Sequence, residues 1–144
     1  MDFNKIIREM LATYGVSLSQ LKGLDEQGTI VVKIQNLPDV MLSNLDGRLW
    51  IWSLLPELSA TWLQDRGAAL VPVITTPIEG VEGGCPTLAL GEHGYEWKAI
   101  VNLDLLQHDA DLQTVFESFA VKLGQLCRAL ELKGGESVVG FSEC

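Results

Sequence analysis

Positive charge is short in this chain: ten Lys and Arg stand against nineteen Asp and Glu, giving a formal net charge of -9 and a pI near 4.5. A molecule so charged repels phosphate backbones, so nucleic acid is not an expected partner. Cysteine is also sparse. Cys85, Cys127 and Cys144 are an odd number without close spacing, which argues against a disulfide framework and for a reducing compartment, the cytoplasm. Only His93 and His108 represent histidine; each stands beside a turn signal and neither has zinc-site spacing to the cysteines. Asp104, Asp109 and Asp111 lack the ligand order and central glycine of a calcium loop, and complementing a helix dipole explains them. No glycine-rich phosphate loop joins a strand to a helix, since Gly83-Gly84 lies beside Cys85-Pro86 in a Gly/Pro-dense stretch. Cys127, among Leu126 and Leu130, reads as a buried structural thiol rather than a nucleophile. The expectation is a protein that is not an enzyme and uses no cofactor or metal.

Long hydrophobic runs are missing too. The most apolar stretch, 68–78, is interrupted by Pro72 and Pro77 and falls short of the roughly 20 residues a membrane span needs. The first eight residues carry Asp2 and Arg8 around a helical pattern rather than a signal-peptide pattern. Neither membrane insertion nor a leader is expected.

What is present is a core. With 47% hydrophobic residues in 144, the chain can offset its ordering entropy as one domain. That domain is expected over 1–133, with a flexible tail over 134–144. Phe3, Ile6, Ile7, Met10, Leu11 and Tyr14 form one helical stripe that Gly15 can end. Residues 29–35 are β-branched and read as a strand. Runs over 40–43 and 48–54 flank Asn44-Leu45-Asp46-Gly47, and Asp-Gly is a favoured hairpin dipeptide. Ser59 can cap a helix running through Trp62, Leu63, Arg66, Ala69, Leu70 and Val73, weakened by Gly67 and kinked or stopped by Pro72. Residues 77–86 read as a mobile loop. A second hairpin over 87–90 and 95–101 follows, then a last helix from Asp111 with Leu112, Val115, Phe116, Phe119, Leu123, Leu126 and Leu130 as its stripe. The fold class is therefore α+β: an antiparallel twisted sheet of about five strands with three helices, in the order helix, three strands, helix, hairpin, helix.

Alternation in the third strand sends Leu49, Ile51 and Ser53 one way and Trp50, Trp52 and Leu54 the other. Both sheet faces are then largely apolar. Helices of the same chain can cover one; the other needs a second layer, a subunit or a ligand. The tryptophans Trp50, Trp52, Trp62 and Trp97 are candidates for recognition, weighed against ordinary core packing.

Beyond this element order, the segments Gly28-Thr29-Ile30-Val31-Val32, Leu37-Pro38 and Leu49-Trp50-Ile51-Trp52 resemble the class IB, multi-effector chaperones of invasion-type type III secretion systems, the surface-presentation-of-antigens group. Ile6-Ile7-Arg8-Glu9-Met10-Leu11, Gly15-Val16-Ser17 and Leu24-Asp25 also resemble that group. The resemblance runs over about Phe3 to Arg66 and the last helix, and is absent from the Gly-rich loop and the tail. It implies a cytoplasmic bacterial homodimer that binds the N-terminal chaperone-binding segment of secreted effectors, keeps it non-globular and helps present it to the export ATPase. By position it implies a groove built from the first helix and first three strands, with Ile34, Met41, Leu49, Trp50 and Trp52 as effector-binding candidates. It places the dimer contact on the second helix and later hairpin, anchored by Trp62, Leu70 and Trp97. A structural or adaptor subunit of a larger assembly and a small-ligand-binding domain stay open as alternatives, the latter requiring a closed pocket with converging polar groups.

Overall fold

The computed structural model describes Lys5, Met10 and residues 29–55, 57–107 and 111–132. The expected first helix, the Leu24-Asp25 segment and the tail over 134–144 lie outside the described residues, except that Lys5 and Met10 are helical and Met10 is buried.

Five strands, β1 (Thr29–Val32), β2 (Val40–Leu45), β3 (Arg48–Leu55), β4 (Thr87–Gly91) and β5 (Gly94–Ile100), form one antiparallel sheet in the order β1-β2-β3-β5-β4. Asp46 and Gly47, at φ 53 and 76, make the two-residue turn between β2 and β3, with both central residues left-handed as such a hairpin requires. β1 ends sooner than its β-branched run suggests. Asn36 turns left-handed at φ 64, and the Leu37 amide donates to the Ile34 carbonyl, so the chain has already begun its return to β2.

The helical segment after β3 differs from expectation. Ser59 Oγ does cap it, accepting from the Trp62 amide at 3.1 Å. The single expected helix is nevertheless two, α1 (Ala60–Asp65) and α2 (Gly67–Ile74), broken at Arg66, where φ is -114 and ψ 14. Pro72 sits inside α2, which ends two residues later as the Thr75 and Thr76 hydroxyls donate to the Val71 and Pro72 carbonyls. The break is thus upstream, next to Gly67, whose backbone freedom weakens helix continuity.

The expectation of a loose loop over 77–86 is also corrected. Val81 is buried and forms a bridge with Val101. The Glu82 amide donates to the Ile100 carbonyl and the Asn102 amide to the Gly80 carbonyl, each at 2.8 Å. These bonds extend the sheet past β5, and tertiary pairing of this kind leaves no local sequence signal.

A 3-10 turn (Leu103–Leu105) leads to α3 (Asp111–Ala129), whose stripe is buried as its spacing predicts: Leu112, Val115, Phe116, Phe119, Leu123 and Leu126, with Leu130 beyond its end. They share one core with Val40, Leu42, Leu49, Ile51, Leu55, Trp97 and Ala99 from the sheet. Each large side chain so buried contributes about 1.5–3 kcal/mol, which fixes α3 to one face of the sheet.

Candidate functional site

In β3 burial alternates strictly, with Leu49, Ile51, Ser53 and Leu55 buried and Trp50, Trp52 and Leu54 half-buried between them. The alternation follows from the pleat and divides the sheet into an inner face, within the core, and an outer face. Register carries the outer face across neighbouring strands. Val31 pairs with Met41, Met41 with Trp52 and Trp52 with Lys98; Thr29 pairs with Ser43, Ser43 with Trp50 and Trp50 with Ile100. Met41, Trp50, Trp52, Leu54 and Ile100 are half-buried yet outside the core cluster, and Val31 and Leu45 are exposed.

Polar groups order this face. Ser43, only 2% exposed, has its Oγ 2.8 Å from Thr29 Oγ1 and accepts from Trp52 Nε1 at 3.0 Å. The Lys98 ammonium lies 5.8 Å from the Trp50 ring centroid and 3.6 Å from Glu96 Oε1, a cation over an aromatic face with its charge partly matched.

Of the expected effector-binding residues, the structure brings Met41, Trp50 and Trp52 together on this outer face. Ile34 and Leu49 lie apart from them: both are buried in the core, and Leu49, fully buried, points to the side of β3 opposite the tryptophans. Alternation within β3 already separates Leu49 from its neighbours, so a groove including Leu49, Trp50 and Trp52 mixes two faces. Among the expected dimer anchors, Leu70 and Trp97 are likewise buried in the core, whereas Trp62 is 37% exposed. Its indole donates to the Leu130 carbonyl, and the Arg66 guanidinium lies 3.5 Å from its ring centroid while also pairing with Glu131 at 2.7 Å. Beside it, α2 exposes Ala68, Ala69, Val71 and Pro72. Val71, Ser43 and Lys98 were missed from sequence; the all-apolar composition of α2 signals the first, while the other two emerge only from strand register.

Among the described residues no group of three or more His, Cys, Asp or Glu could hold a metal ion, and no helix is long and apolar enough to cross a membrane. Cys127 is buried, and desolvation pushes its thiol up to about 11, which leaves it protonated and a poor nucleophile at neutral pH.

An open antiparallel sheet with an aromatic, apolar surface on the face opposite the core defines an α+β protein in which, among the described residues, no helix is packed on that face. The chain belongs to the Invasion protein B family, whose profile matches residues 15–92, more than half of its length and including β1 to β4. Surface presentation of antigens protein SpaK of Salmonella typhimurium and that of Salmonella typhi are each 30% identical to it over 132 residues, covering 90% of this chain and 96% of theirs. The family is the invasion-associated, chaperone-like group that the strand and tryptophan segments resemble, and membership gives the chain a type III secretion-related role.

Proposed function

We propose that this chain is a type III secretion chaperone: a homodimer that binds the N-terminal segment of secreted effectors, keeps it non-globular and export-competent, and performs no chemistry. The observation that carries this reading is the grouping of Met41, Trp50 and Trp52, half-buried and contiguous on a sheet face that the core does not use. An extended effector segment places alternate apolar side chains against such a surface, and the sheet edges at β1 and β4 offer main-chain groups for strand addition. The dimer is supported by α2, which is apolar on every side although only Leu70 is buried; a helix of that composition requires cover on its second face. Presentation to the export ATPase belongs to the same reading, as does residence in the bacterial cytoplasm.

Co-expression with secreted proteins encoded in the same genome tests it. Trp50→Ala and Trp52→Ala should each weaken capture of an effector's N-terminal segment by at least about tenfold, the effect of losing an aromatic anchor, while thermal unfolding stays cooperative. Undiminished capture by both variants would refute this surface as the effector site.

A further inference from the structure

We infer that Ser43 is a positioning residue that makes the Trp52 surface selective for apolar side chains, an inference that rests on the outer face being the effector surface. Ser43 sits in the middle of β2, on the outer side, between Thr29 of β1 and Trp50 of β3 in register. A buried hydroxyl is costly unless paired, and this one is paired twice, with Thr29 Oγ1 at 2.8 Å and with Trp52 Nε1 at 3.0 Å. The second bond is diagonal. Directly opposite Trp52 stands Met41, so the indole N–H reaches two residues along β2 to find its acceptor. The network Thr29–Ser43–Trp52 thereby joins three strands on one face.

The chemical consequence concerns what an arriving segment meets. An indole has a single polar atom, a donor, and here the Oγ of buried Ser43 takes it. With that donor engaged, Trp52 offers an arriving segment its ring carbons, in one row with Met41 and Val31 on one side and Lys98 on the other. A side chain seated over Trp52, Met41 and Val31 is best apolar and needs no acceptor for the indole, so no donor on Trp52 has to be desolvated without a replacement bond; Lys98, at the end of the row, has Glu96 Oε1 at 3.6 Å as its partner. Holding the ring beforehand also removes part of the ordering cost of binding. Without Ser43 Oγ the indole N–H must turn toward water or stay unpaired, and either change degrades the apolar surface.

Fluorescein-labelled peptides tiling the N-terminal segments of secreted proteins from the same genome, titrated into the full chain, test this. Ser43→Ala should weaken the peptides that bind wild type by about three- to tenfold, the range one neutral hydrogen bond covers. In a Trp52→Phe background, which keeps a ring but has no N–H, Ser43→Ala should cost nothing further. In the free protein, the Trp52 indole proton should be protected from hydrogen exchange in wild type and lose that protection in Ser43→Ala, a signature that general loosening of the strand would not confine to one indole. Wild-type affinity in Ser43→Ala alongside weakened binding in Trp52→Ala would overturn the role of Ser43 and leave the surface standing. An equal loss from Ser43→Ala with and without Trp52→Phe would reduce Ser43 to a packing residue and overturn the inference. Unchanged binding in both Ser43→Ala and Trp52→Ala, or no binding of any peptide by wild type, would overturn the effector surface and the inference with it.

Discussion

Cys127 illustrates how a single side chain reports its surroundings. It lies on the buried side of α3, and desolvation raises its thiol from 9.0 to about 11; Arg128 beside it lowers the value somewhat and Glu57 raises it. The folded chain therefore holds this proton more tightly than the unfolded chain does. Below about pH 9 both states keep the proton and the stabilisation is present in full; between about 9 and about 11 the unfolded state ionises first, and stability falls as pH rises. Denaturant unfolding measured across that window should show the fall in wild type and a shallower slope in Cys127→Ala, whose cavity lowers stability at every pH alike. An identical slope in the two proteins would assign the alkaline sensitivity to other groups.

At the level of elements, local signals were legible and tertiary ones were not. Asp46-Gly47 announced its hairpin because only a positive-φ turn closes two strands so tightly, and the stripe from Leu112 to Leu130 announced α3 because one helix face carries nearly all its large apolar residues. The aromatic pair on the outer face is readable from two-residue spacing alone, and the same spacing puts Leu49 on the opposite, buried side of β3. The tie at Val81 depends on pairing with Val101 and on the packing of Gly80 against α3, neither of which leaves a local pattern. Gly80 adopts φ 90, and a Cβ there would run into the Val115 side chain. Gly80→Ala should accordingly destabilise the fold by about 2–4 kcal/mol, combining a left-handed backbone with overpacking. Adding Val115→Ala makes room for the new methyl, so the double variant should be more stable than the sum of the single losses indicates. Thermal or urea unfolding of the four proteins checks this, and strict additivity would show that Gly80 matters for its backbone alone.

The whole molecule places two apolar surfaces on different elements: the outer sheet face around Trp50 and Trp52, and the helical surface around Trp62 and Val71. One protein segment cannot account for both with equal ease, and their separation lets the proposed dimer and effector contacts be tested independently. Val71 is 53% exposed on a helix that is apolar throughout, and an isologous contact through this helix would seat it against apolar side chains of a second copy, twice by symmetry. A carboxylate placed there would be desolvated against an apolar partner at both symmetry-related positions, which costs several kcal/mol or more. Light scattering should therefore give twice 15.8 kDa for wild type and a single protomer's mass for Val71→Asp at micromolar concentration. Because Val71 does not line the outer sheet face, the monomeric variant should retain peptide binding per chain while losing any advantage that two linked sites confer on a long effector segment. Should Val71→Asp stay dimeric, the contact would have to lie away from α2, and the exposed β4 edge, where Leu90 is 70% exposed, would be the next surface to mutate.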